Sequence, residues 1–142
     1  MAVTLNPYLS FRDNAREAME FYKSVFGGEL TLSTFAQLQA DVGPEGADKI
    51  MHGQLDGDNG ITLMGSDTPK HMNPDGGDIV NATSISLSGD DEPTLRGYWE
   101  KLVDGGVEQQ PLVVAPWGDA FGMCSDRFGV NWMVNITGAT PA

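Results

Sequence analysis

The chain repeats itself. Asp13 stands eight residues before the aromatic pair Phe21-Tyr22, and Asp90 stands eight residues before Tyr98-Trp99. A glycine pair closes each stretch, Gly27-Gly28 and then Gly105-Gly106. Further on, His52-Gly53 and Gly60-Ile61-Thr62-Leu63-Met64 align with Phe121-Gly122 and Gly129-Val130-Asn131-Trp132-Met133. A duplicated pattern fixes one architecture for both halves, so whatever the first half folds into the second must copy.

Hydropathy periods give that architecture. Residues 5–11 alternate, with Leu5, Leu9 and Phe11 on one face and Asn6, Tyr8 and Ser10 on the other, which predicts a half-buried strand. Asn14 with Glu17 resembles a capping box, and Ala15, Ala18, Met19, Tyr22, Val25 and Phe26 form a helical stripe after it. Strands are predicted over 29–36, 49–56 and 60–65, the last two joined by a turn rich in Gly, Asp and Asn. The second half follows suit: a strand over 81–88, a helix over 91–104 opened by Pro93, and strands over 107–115, 120–125 and 129–136. The reading is α+β, with tandem βαβββ modules over about 5–65 and 81–136 joined by a linker at 66–80. Modules of this size cannot bury a sheet alone, so residues 1–142 are expected to make a single domain.

Charge excludes some partners. Eight Lys and Arg stand against 20 Asp and Glu, a formal charge of −12, and the cations are scattered along the chain. Nucleic acid and anionic membranes both call for clustered cations, so neither is expected as a partner. No apolar run approaches the roughly 20 residues of a membrane-spanning helix. The start lacks a basic, apolar leader, and the lone Cys124 fits a reducing compartment, so the expected location is the cytoplasm.

Three stretches carry a family resemblance. They are Pro7-Tyr8-Leu9-Ser10-Phe11 running into Ala15-x-x-Ala18-Met19-x-Phe21-Tyr22, then Met51-His52-Gly53-x-Leu55, and Trp117-Gly118-Asp119-x-x-Gly122-Met123-x-x-Asp126-x-Phe128-Gly129-Val130-x-Trp132. With the tandem modules, the chain resembles the vicinal-oxygen-chelate superfamily of glyoxalases, extradiol dioxygenases and drug-resistance proteins, and within it the PhnB-like branch. The resemblance implies a glyoxalase/dioxygenase-like fold, with a curved mixed sheet cupping a small-molecule ligand, helices on the convex side and a homodimer. Proteins of this branch have often been labelled demethylubiquinone methyltransferases. Here no glycine-rich loop opens a helix after a strand to receive a methyl donor.

Alternation sorts the strands into two faces. The core face is expected to take Leu9, Phe11, Met51, Leu55, Ile61, Leu63, Ile85, Leu87, Val130, Trp132 and Val134. The opposite face then carries Tyr8, His52, Gln54, Met64, Ser84 and, through the repeat, Phe121, Met123 and Met133, a surface suited to a small, partly apolar molecule. His52 reads as general base or hydrogen-bond donor, or as a strand histidine satisfied by a neighbour. Asp119 reads as acid, base or turn former, and Trp117 as a wall of the ligand site or a cover for a sheet edge or dimer interface. His71 and Met72 belong to the linker, where closure over the cup would bring them to the ligand. Asp126 to Gly129 reads as a hairpin turn, and Cys124 as a buried, inert thiol.

Metal-dependent members of the superfamily place His, Gln or Glu on the first and fourth strands of a module. The matching positions here hold Asn6 or Tyr8, Met64, Ser84 and Met133. A neutral thioether is a poor ligand for a hard or borderline cation, which leaves His52, with Asp56 and Asp119 as unorthodox donors. No cofactor is expected, and a divalent metal is disfavoured. Three readings follow: a metal-independent enzyme using His52, a drug-sequestering binding protein, and a metal-dependent lyase or dioxygenase.

Overall fold

The computed structural model describes residues 3–37, 47–68 and 83–138. The linker beyond Thr68, with His71 and Met72, and the tail from 139 on lie outside them. Two compact units divide the chain, residues 1–79 and 80–142. The first holds β1 (Tyr8–Phe11), α1 (Ala15–Phe26), β2 (Glu29–Thr34), β3 (Ile50–Asp56) and β4 (Thr62–Asp67), with a short 3-10 turn at Asp58–Gly60. The second holds β5 (Ser84–Gly89), α2 (Glu92–Val103), β6 (Val107–Val114), β7 (Ala120–Ser125) and β8 (Asn131–Ile136). Among the described residues no helix is long and apolar enough to cross a membrane.

Both units have the same sheet topology. The strand orders are β1-β4-β3-β2 and β5-β8-β7-β6, each with one parallel pair (β1 with β4, β5 with β8) and otherwise antiparallel. The parallel pair is the one bridged by the helix, because a parallel return requires a crossover long enough to hold one. Each helix covers one face of its own sheet. Met19, Tyr22 and Phe26 of α1 are fully buried, as is Leu102 of α2, with Leu95 and Trp99 buried beside it. Glycine lets the helices come close: a Cβ on Gly122 would lie 2.8 Å from the Trp99 ring of α2, and one on Gly53 would lie 3.4 Å from the Met19 side chain of α1.

Several expectations change. Leu5 is 97% exposed, because β1 starts only at Tyr8, after Pro7 has passed its carbonyl to the Met64 N–H. The capping box does not form. Asn14 makes no side-chain cap, and the buried Asp67 carboxylate of β4 takes the Ala15 N–H instead, at 3.0 Å. β4 thereby runs two residues into the predicted linker. α2 caps itself through Asp91, which accepts from the Thr94 N–H and hydroxyl.

Met51 is not in the core. Ser33 pairs with His52 but the next residue, Thr34, pairs with Ile50, so Met51 bulges out, 38% exposed, and Ile50 takes its place inside. Ile85 and Leu87 are only half-buried, as suits an outer strand of the second sheet.

Cys124 lies in the core, where burial, with help from the Asp126 and Glu108 carboxylates, pushes its thiol up to about 11. Since the thiolate is the reactive form, labelling by an aromatic disulfide reagent at neutral pH should run about 100-fold slower in folded protein than in urea. Rapid labelling of folded protein would show that the site opens.

Candidate functional site

The face of each sheet turned away from its helix is where polar and soft side chains gather. In the first unit the register sets Tyr8, Met64, Gln54 and Thr31 side by side across four strands. All four project from that open face, because Leu9, Leu55 and Leu63, one residue along, are buried beneath α1. His52 and Ser33 form the next row.

One side-chain contact joins the rows. The Tyr8 hydroxyl lies 3.2 Å from His52 Nδ1, with the ring centroids 5.8 Å apart. In the Nε2–H tautomer the hydroxyl donates to Nδ1. In the other tautomer Nδ1–H donates to the phenol oxygen and Nε2 is left as an acceptor. Gln54 is steered separately, its amide donating to Asp56 at 3.0 Å and leaving its own carbonyl oxygen as an acceptor on the face.

The second unit puts different chemistry at the same register. Ser86, Met133, Met123 and Gln110 make the row that corresponds to Tyr8, Met64, Gln54 and Thr31. Phe121 holds the place of His52, paired with Asn135 on one side and Val113 on the other. Trp117, 64% exposed, lies with its ring centroid 6.1 Å from that of Phe121. Ser84 lies beside Asn131, one row from Met133.

The expected site residues therefore divide between the units. Tyr8, His52, Gln54 and Met64 share one open face, whereas Ser84, Phe121 and Met133 share the other, with Trp117 against Phe121. Asp119 stands in the β6–β7 turn. Its carboxylate accepts from the Gly138 N–H at 3.0 Å and the Asn135 amide at 3.2 Å, which hold it below its ordinary value of 3.8. Thr31, Ser33 and Gln110 belong to the open faces as well. The alternation of Glu29 to Thr34 around Leu30 and Leu32 was the available signal for the first two.

The donors do not fit a divalent metal. Met64 and Met133 occupy the positions where the superfamily places its acidic ligand, beside Tyr8 and Ser86, and the Tyr8 hydroxyl is already bonded to His52. Among the described residues no three His, Cys, Asp or Glu side chains gather in a metal-binding group.

The comparisons with known proteins agree with this architecture. A family model described as 3-demethylubiquinone-9 3-methyltransferase matches residues 3–135. Protein YjdN of Escherichia coli K12 is 25% identical over 144 residues, covering 96% of this chain and 97% of its own. The crystal structure of protein PA1353 from Pseudomonas aeruginosa superposes with a TM-score of 0.77 at 34% identity, covering 95% of this chain and 98% of that one. A putative 3-demethylubiquinone-9 3-methyltransferase, PhnB protein, from Bacillus cereus gives 0.70 at 22% identity, with 95% and 100% covered. By its sequence over nearly the whole length the chain belongs to the 3-demethylubiquinone-9 3-methyltransferase family, and by its paired βαβββ modules it has the glyoxalase/dioxygenase-like fold.

Proposed function

We propose that this protein binds a small, partly apolar organic molecule on its open sheet faces and that the Tyr8–His52 pair moves a proton to or from it without a metal or cofactor. The observation that carries the reading is the 3.2 Å contact between the Tyr8 hydroxyl and His52 Nδ1, flanked by Met64 and Gln54 on a face that α1 leaves uncovered. Fixing Nδ1 orients the imidazole and presents Nε2 to a bound molecule, which is the arrangement general acid–base catalysis needs. The thioether of Met64 offers soft contact to the apolar part of the ligand and the Gln54 carbonyl an acceptor for a donor group. The protein works as a cytoplasmic homodimer in this reading.

The family's methyltransferase description is not adopted as the activity. The turns into the two helices read Arg12-Asp13-Asn14 and Asp90-Asp91, with no run of glycines to admit a nucleoside-type donor.

His52→Ala separates catalysis from simple capture. With a ligand found by thermal-shift screening of small carbonyl and aromatic compounds, turnover followed by NMR should fall about 10²- to 10⁴-fold. Unchanged affinity with no turnover in either protein would sink the acid–base reading. The drug-sequestering alternative would then stand, supported by the formal charge of −12, which draws cationic compounds. Stoichiometric Zn, Mn, Fe or Ni in purified protein would overturn the metal-free reading in favour of a lyase or dioxygenase.

A further inference from the structure

We infer that Asp119 is a positioning residue: it fastens the β6–β7 turn so that the Trp117 indole stays beside Phe121 and the two rings form a wall for a planar, uncharged or cationic conjugated ring. The turn itself is closed by two backbone bonds, Ala115 N–H to the Asp119 carbonyl at 2.7 Å and Gly118 N–H to the Ala115 carbonyl at 2.9 Å. Those bonds shape the turn but tie it to nothing else. Trp117 sits near its tip, and a bulky ring on a bare turn would lose its preferred direction to rotamer entropy.

The Asp119 carboxylate supplies the missing tie. One oxygen holds Gly138 just beyond β8, and the other holds the amide of Asn135 on β8. Asn135 is the direct cross-strand partner of Phe121, and Phe121 is the ring that Trp117 meets. The contacts therefore close a circuit: Trp117 to Phe121, Phe121 to Asn135, Asn135 to Asp119, and Asp119 back to Trp117 two residues along the chain. Breaking the circuit at Asp119 frees the turn while leaving the core beneath β7 intact.

The geometry also states what the wall can take. The ring planes are inclined at 59°, so a flat ring laid on the indole meets Phe121 by its edge, a favourable aromatic arrangement. Met123 and Met133, cross-strand neighbours on the same face, continue the apolar surface. The chain's net charge of −12 disfavours an anionic ring and favours a neutral or cationic one. The ligand part of this inference rests on the small-molecule reading above, whereas the positioning part needs no ligand.

Full-length protein labelled with 5-fluorotryptophan reports on both. The chain has three tryptophans, so Trp117→Phe assigns its fluorine resonance, and Trp99 and Trp132 report that the fold is kept. In Asp119→Ala the Trp117 resonance should move toward that of the free amino acid while the other two stay. Asp119→Asn should restore most of its position, because the amide oxygen still accepts from Gly138 and the new amide N–H donates to the carbonyl oxygen of a flipped Asn135. If the melting temperature falls but the Trp117 resonance does not move, the carboxylate is only a stability clamp and the inference is wrong. The neutral fluorophore N-phenyl-1-naphthylamine tests the wall: Trp117→Ala should weaken its binding about tenfold. No binding to the unaltered protein, or equal binding to the variant, overturns the ligand part alone. Failure of His52→Ala to affect turnover bears only on the earlier reading.

Discussion

Replacing Asp126 by Ala should cost the second unit about 3–5 kcal/mol, the range for orphaning donors around a buried charge. Only 4% of Asp126 is exposed, and its carboxylate serves three donors at once. One oxygen takes the Phe128 N–H at 2.8 Å and the Val130 N–H at 3.1 Å, and the other takes the Trp132 indole N–H at 2.8 Å. Alanine leaves these groups pointing into a space where their replacement partner would have to be water. Asparagine is no remedy, since only one of its two atoms can accept and its amide would face a donor. Chemical denaturation measures the loss. Adding Trp132→Phe to Asp126→Ala should show non-additivity of at least about 1 kcal/mol, because the second change removes a donor that the first has already stranded. A loss from Asp126→Ala below about 1 kcal/mol would mean that water satisfies the donors at little cost.

The second large effect belongs to Asp67, with an expected loss of about 2–4 kcal/mol on replacement by Ala. It too is buried, 5% exposed, and it joins two elements by accepting the Ala15 N–H at the start of α1 and the Ile50 N–H at the start of β3, at 3.0 and 2.9 Å. A carboxylate at a helix N-terminus also meets the positive end of the helix dipole. The exposed Lys49–Asp13 pair nearby, at 3.6 Å, cannot compensate, because surface ion pairs of this kind contribute little. Amide exchange separates the outcomes: the Ala15 and Ile50 amides should lose protection well before the amides at the centre of β3. If instead Ala15 stays protected, the Asp67 carboxylate is not what holds that amide.

These two residues also show where sequence reading stops. The repeat, both helices and nearly every face assignment follow from periodicity and spacing, which are local properties of the chain. The partners of a buried carboxylate are not. Asp67 and Ala15 are separated by 52 positions, and nothing in the stretch around either one announces the other. The same holds for the candidate site. Alternation places Tyr8 and His52 on the open face, but their hydrogen bond spans 44 positions and depends on β1 docking beside β4 in one register. Met51 leaves the face that alternation assigns it for a related reason, since a bulge is a property of a strand pair and alternation describes only one strand. Comparing the halves sharpens the point. Ile136 stands at the end of β8 where Asp67 stands at the end of β4, and Gly57 occupies the turn position of Asp126. The duplicated backbone is retained while its buried acids have changed places, so the repeat predicts the topology of both halves but the polar locks of neither.

The bulge at Met51 bears on how this chain tolerates change in length. Ile50 and His52 have the same parity along the strand, and regular alternation would send both to one side. The slip between them lets the first face the core and the second face away from it. Downstream of the slip, the phase of His52 is held by Gly53, Gln54 and Leu55 against β2 and β4. At the slip itself, Ile50 is held separately, by its own N–H on the Asp67 carboxylate and by its pairing with Thr34. The direction of the imidazole therefore does not depend on the alternation upstream of the slip, so changes in length before Ile50 that leave this residue on Asp67 are open to the chain without cost to the face that carries His52.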